Sequence, residues 1–146
     1  MAGTVEAIRI TAEHEQLPEP VDKIDVTAEG LPGDRYFGRG DITLVEAEAL
    51  EALREDTGIE LSHAEVRRQV LTRGVALNDL LGKRFRVGGV EAVGVEWCEP
   101  CNHLEKMTYP GVLKGMVHRA GLRADIVQAG RIAVGDEVGE VTDAAA

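Results

Sequence analysis

The sequence predicts a mainly β fold of the α+β kind: a closed or nearly closed β-barrel with a few short peripheral helices. Three observations predict it. Short apolar segments recur at regular intervals between turn residues. Seventeen glycines supply the tight turns such a fold needs. Only a few segments carry helical periodicity, and those are short. Aromatic residues make up 3% of the chain, so the core is to be built from Val, Leu, Ile and Ala.

The elements follow in order. Residues 4–11 read as a first strand, broken by Leu17-Pro18-Glu19-Pro20, and residues 21–26 as a second. Gly30-Leu31-Pro32-Gly33-Asp34-Arg35 is a loop in which Asp34 can hold the turn by a side-chain bond to backbone. The clearest helix covers residues 44–57. Thr43 and Glu46 have capping-box spacing, Gly58 is a stop, and Val45, Ala49, Leu50 and Leu53 form the apolar stripe. Ser62 and Glu65 repeat that spacing before a shorter helix, and residues 69–72 read as a strand. Residues 84–87 and 90–96 flank Gly88-Gly89 as a hairpin. Residues 103–108 and 111–120 read as short helices. Residues 122–128 and 131–134 read as a second hairpin, ended by Gly135-Asp136.

The 146 residues suit one domain spanning 1–146, with 141–146 as a frayed tail. A net charge of −10 argues against nucleic-acid and membrane-surface partners. No apolar run has the roughly 20 residues of a bilayer span. The first ten residues lack the pattern of a signal peptide. Two cysteines without an export signal point to the cytoplasm, where thiols stay reduced.

Trp97-Cys98-Glu99-Pro100-Cys101 is the most informative stretch. A thioredoxin-like dithiol fits the local letters. It does not fit the context: too little chain is expected after Cys101 for that fold, and Pro110-Gly111 interrupts the helix that should follow. Zinc could take Cys98, Cys101, His103 and His118, but the second close-spaced ligand pair of a structural site is missing, so no zinc is expected. A small buried core residue is the plain alternative for Cys98. Beside Asn102 and His103, Cys101 suits the core less.

Several motifs, taken together, resemble one family. Gly30 to Arg35 looks like its Gly-Leu-x-Gly-Asp-Arg loop, and Asp41 to Glu46 like the strand-to-helix step that follows. Arg67-Arg68-Gln69-Val70-Leu71-Thr72-Arg73-Gly74 resembles its Arg-Arg-Asn-Ile-x-Thr-x-Gly segment, with Gln69 in place of Asn. Leu77-Asn78, Gly82, Glu99-Pro100-Cys101 and the closing stretch from Gly130 to Asp136 fit in order. On these grounds the chain is similar to the MOSC domains, named after the C-terminal domain of molybdenum cofactor sulfurases. The resemblance runs from about residue 4 to residue 141.

The resemblance implies a molybdenum cofactor, with Cys101 as metal ligand and catalytic group. Such an anionic cofactor needs clustered cations. Arg35 and Arg68 match the family motifs, and Arg67, Gln69, Thr72 and Arg73 lie in the same segment as Arg68. Lys114 and Arg119 belong to a second basic run, and Asn102 and His103 adjoin Cys101. The plain alternative for any single arginine is a solvated surface charge. Guanidinium groups suit an anionic, phosphate-bearing pterin in an otherwise acidic chain. Single-domain members suggest reduction of N-hydroxylated compounds, with electrons from a flavin or iron–sulfur reductase. The alternative is a non-catalytic carrier that takes a persulfide from a cysteine desulfurase-type donor. The chain carries no pyridoxal-phosphate desulfurase segment, so that cofactor is not expected in it. His14 and His63 read as surface residues.

Overall fold

The structure, a computed structural model, describes residues 2–13 and 16–141. His14 and residues 142–146 lie outside the described residues, so the expected surface place of the first and the expected fraying of the second are not addressed by it. Val141 is tied down, its N–H donating to the Arg84 carbonyl at 2.9 Å.

Among the described residues ten strands form: β1 (Gly3–Ile10), β2 (Glu19–Val21), β3 (Lys23–Val26), β4 (Asp41–Glu46), β5 (Val70–Arg73), β6 (Arg84–Val87), β7 (Val90–Trp97), β8 (Leu122–Gln128), β9 (Gly130–Ala133) and β10 (Glu137–Glu140). Seven of them pair in the order β10-β6-β7-β8-β4-β5-β1, and β1 pairs back onto β10. That last pairing, Gly3 with Val138 and Thr4 with Glu137, closes the barrel and removes both free edges. Only β4–β5 is parallel among the barrel pairs. β2 adds to the outer end of β1, and β3 with β9 forms a separate two-stranded ribbon.

The barrel interior is aliphatic, as the composition requires. Val5, Ile8, Ile42, Leu44, Val70, Val87, Leu122 and Val138 point inward with Phe85. Burying each such side chain contributes about 1.5–3 kcal/mol. A second apolar cluster lies outside the barrel under four short helices: α1 (Ala47–Thr57), α2 (His63–Val66), α3 (Asn102–Met107) and α4 (Val112–Gly115). There Leu53, Leu61, Val66, Leu104, Val112 and Met116 pack on Val45 of β4. This second core anchors α2 through Val66 and α3 through Leu104, and the candidate site depends on it.

The barrel class matches the expectation from sequence, while several elements differ. The expected helix 44–57 begins at Ala47, because β4 runs on to Glu46. The Thr43–Glu46 capping box does not form. Thr43 bonds Gln69 instead, and the Glu46 carboxylate accepts the Leu77 N–H at 3.0 Å. Gly58 does end the helix, in the left-handed conformation. The Ser62–Glu65 box forms both of its bonds. Residues 21–26 split, with Glu19–Val21 and Lys23–Val26 pairing on different partners. The helix expected over 111–120 is confined to Val112–Gly115. The second hairpin does not exist: β8 pairs with β4 and β7, while β9 pairs with β3.

Gly121 marks the tightest seam. Its φ is +118°, and an added Cβ would collide with the Leu44 carbonyl oxygen where β8 leaves β4. Its own carbonyl accepts the Cys98 N–H at 2.8 Å. Gly121→Ala is therefore expected to destabilise the fold by about 3 kcal/mol. A thermal melt should show the midpoint lowered by about 6–12 °C.

Candidate functional site

Three segments converge beside the second core: the loop after Gly30, the turn that ends α2, and the stretch from Trp97 into α3. They enclose a hollow of about 150 Å3. Arg35, Arg67, Arg68, Cys101 and His103 line one part of it, and Tyr36, Val66, Leu104 and Met107 the rest. Among the described residues that line it there is no carboxylate.

The Arg35 loop is held from beneath by Asp34, which is 7% exposed. One Asp34 carboxylate oxygen accepts the Thr11 N–H at 2.8 Å. The other accepts the Tyr36 N–H at 3.1 Å and the Gln69 Nε2–H at 2.9 Å. Thus Asp34 does form the expected turn bond, two residues ahead, and also fastens the loop to the barrel. Gln69 passes the link on, its Oε1 accepting the Thr43 N–H at 2.9 Å. Arg35 is seated by its own N–H on the Thr11 carbonyl, at 2.7 Å. Its guanidinium lies 4.5 Å from the Tyr36 ring centre, and that of Arg39 lies 4.3 Å from it.

Arg67 caps α2 in the left-handed conformation, at φ 62° and ψ 32°. That backbone is uncommon for a side chain of this size and clusters at functional sites. Burial pulls the Arg67 guanidinium below its ordinary basicity, and the neighbouring Arg35 charge adds to this. Like charges held close are a cost that an anion between them would relieve. Arg68 is braced by the Ala120 carbonyl at 2.8 Å from its Nε.

Cys101 is exposed and reduced, and stands at the N-terminal boundary of α3 with extended backbone. Leu104, three residues on, anchors that helix in the second core. Cys98 differs. It is half-buried, and burial pushes its thiol up, against the pull of the Arg68 charge. Among the described residues no group of three or more His, Cys, Asp or Glu side chains is placed to hold a metal ion.

Five of the residues expected from sequence therefore meet in the hollow: Arg35, Arg67, Arg68, Cys101 and His103. Others lie elsewhere. Gln69 and Thr72 are buried, Gln69 in the Asp34 link and Thr72 with its hydroxyl toward the Val45 carbonyl. Arg73 pairs with Glu6 at 2.7 Å and Glu51 at 2.6 Å, which raises its basicity further. Asn102 opens α3 exposed and outside the lining. Lys114 and Arg119 line a separate depression of about 600 Å3, where Arg119 pairs with Asp56 at 2.8 Å.

Sequence reasoning missed Tyr36, the apolar wall and the places that two histidines take. His118, also left-handed at φ 59°, grips Glu99 through its N–H and its Nδ1, each at 2.7 Å. Its ring lies edge-on to Trp97, and its carbonyl accepts Asn78 Nδ2 at 2.8 Å. It thereby fixes the strand end that leads to Cys101. Leu77-Asn78 had stood out as a motif, but nothing in it named this partner. His63, expected at the surface, is 8% exposed because Ser62 turns the chain inward at the start of α2.

The sequence profile of the MOSC domain family matches residues 33–139. No curated protein matches the chain. Among solved structures, the YuaD protein of Bacillus subtilis superposes with a TM-score of 0.84 at 17% identity, over 94% of each chain. YiiM from Geobacillus stearothermophilus gives 0.76 at 17% identity, over 96% of this chain and 75% of that one. YiiM from Escherichia coli gives 0.68 at 17% identity, over 97% and 70%. At such identities the likeness is one of fold.

Two measurements test this geometry. Asp34→Asn keeps shape but turns an NH2 group toward N–H donors in either orientation. It is expected to cost about 2–4 kcal/mol in urea unfolding. His63 gives a pH test. Burial lowers its pKa from 6.5 to about 4, so as pH falls the unfolded chain takes the proton first. Stability is then lost between about pH 6.5 and pH 4, by about 3 kcal/mol in all. His63→Gln should remove that part of the acid loss when urea midpoints are compared across this range.

Proposed function

The chain belongs to the MOSC domain family, and from that premise we propose that it binds the molybdenum cofactor through the hollow at Cys101. The observation that carries this reading is the company the thiol keeps. In a chain of net charge −10, three arginines and a histidine share one small hollow with an exposed cysteine.

The residues present fit the chemistry of such a group. A thiolate is a soft ligand that suits molybdenum, and guanidinium forks suit the oxygens of phosphate or of an oxyanionic metal centre. A single protein sulfur is too few to hold a bare metal ion, yet enough to cap a metal already held by a cofactor. About 150 Å3 is below the 300–1,000 Å3 of sites that enclose drug-sized ligands, so the hollow takes the anionic, thiophilic end of the cofactor.

When bound, the cofactor supplies a metal that exchanges electron pairs and accepts oxygen, which is what reducing an N-hydroxylated compound requires. Within that reading the protein binds and orients. Cys101 ligates. Arg35, Arg67 and Arg68 neutralise and aim the anionic part, with His103 at the rim. Tyr36, Leu104 and Met107 give the hollow a wall that limits water. The electrons come from a separate flavin or iron–sulfur reductase.

The exposure of Cys101 also favours a second reading, carriage of a persulfide delivered by a cysteine desulfurase-type donor. One preparation separates the two. Purified from a cofactor-competent host, the wild type is expected to hold about one molybdenum per chain and Cys101→Ser less than about a tenth of that. Little metal in both, with a gain of one sulfur atom on Cys101 after incubation with a desulfurase, favours the carrier. Equal metal in both contradicts any ligand role for Cys101.

A further inference from the structure

We infer that His63 is a positioning residue, whose buried imidazole sets the direction of Arg67 and Arg68 and so maintains the positive potential at Cys101. The inference deepens the cofactor reading, since aimed guanidinium groups matter only where an anion is to be held.

The argument starts from the shortness of α2. Its four residues end at once in a left-handed turn. A helix of this length has almost no internal hydrogen bonding to hold its end in place. His63 holds that end twice. Its carbonyl accepts the Arg67 N–H at 3.3 Å, and its ring Nε2 lies 2.7 Å from the Arg68 carbonyl oxygen. A carbonyl only accepts, so the proton sits on Nε2. The second bond spans the left-handed residue from one side to the other. It fixes the peptide between Arg68 and Gln69, while the first bond fixes the one between Val66 and Arg67. The two together bracket Arg67 and Arg68 and set the directions in which their side chains leave the backbone.

The other ring nitrogen supports this reading. Nδ1 is buried and has no hydrogen-bond partner among the described residues. An apolar side chain of similar shape would fill the space without stranding a polar atom. Packing alone therefore does not account for a histidine here, whereas the Nε2–H donor does. Burial also keeps the ring neutral, with a pKa of about 4, so this brace holds its tautomer at neutral pH. Glu6 and Arg9 of β1 are the charges that act on the ring. Both guanidinium groups have further supports, the Gln16 carbonyl at 2.8 Å for Arg67 and the Ala120 carbonyl for Arg68. These fix the far ends of the side chains, and His63 fixes their roots.

The test reads the potential at the thiol, without any cofactor. In a Cys98→Ser background, Cys101 is alkylated in parallel by iodoacetate and by iodoacetamide. Both reagents place a methylene carbon on the sulfur and release iodide; one is an anion and the other neutral. The ratio of their rates reports local positive charge and is insensitive to modest losses of global stability. Arg67→Gln calibrates the response. His63→Phe is expected to lower the ratio by about fivefold, approaching Arg67→Gln, and to steepen no salt dependence. His63→Gln, whose amide reaches where Nε2 stood, should stay within about twofold of the parent. If His63→Phe does not fold, His63→Asn replaces it: its amide falls short of the Arg68 carbonyl and should show the same loss.

An unchanged ratio in both His63→Phe and His63→Asn overturns the inference. So does a ratio that falls as far in His63→Gln as in the others. A protein that shows the expected ratios yet never takes up molybdenum would refute the cofactor reading and leave the role of His63 standing.

Discussion

A buried carboxylate that must satisfy three N–H donors holds this molecule's working face together. Asp34 accepts from Thr11 at the end of β1, from Tyr36 in its own loop, and from Gln69 just before β5. Thr11 and Gln69 adjoin strands of the closed barrel, and Tyr36 belongs to the hollow. A loop of turns, with no strand of its own, is thus placed by the rigid wall behind it. Unmaking one of these bonds leaves a buried polar group without a partner, so the arrangement is close to all-or-none. Arg35 inherits its position from this link, since it follows Asp34 directly.

Electrostatics works against the overall field of the protein. Acidic groups outnumber basic ones by ten, yet the hollow gathers cations, and none of the described residues that line it is a carboxylate. Many of the other arginines, among them Arg73, Arg119, Arg123 and Arg131, are neutralised by acidic neighbours. At the hollow, Arg35 and Arg67 lie close enough for the charge of one to lower the basicity of the other. Crowding has a structural cost, seen in the lowered basicity of Arg67 and in its left-handed backbone. Sites that store such strain are commonly those that bind or react.

Parts of this were legible in the sequence. The Gly30–Arg35 loop, the Ser62–Glu65 capping box and the Gly58 stop are local features. Their chemistry is written within six residues, and each formed as read. The barrel class was legible for the same reason, through strand spacing and glycine content. Pairing was not. A single residue separates β8 from β9, and the two look like a hairpin, yet Gly130 lies against the Gly89 backbone and β9 pairs with β3. Thr43 and Glu46 had the right spacing for a cap, but their bonds go to Gln69 and Leu77, residues far along the chain. Charge was the least legible of all. Nothing local distinguishes Arg67, whose guanidinium enters the hollow, from Arg73, which three-dimensional folding delivers to Glu6 and Glu51. His63 was read as a surface residue because four helical residues carry too little periodicity to reveal an inward face.

The account stands on one sulfur atom and the metal it is held to ligate. X-ray absorption at the molybdenum edge of the loaded protein reads that bond directly. The account predicts a protein-derived sulfur in the metal's coordination shell, and the loss of one sulfur neighbour in Cys101→Ser. A shell identical in the two proteins would contradict it.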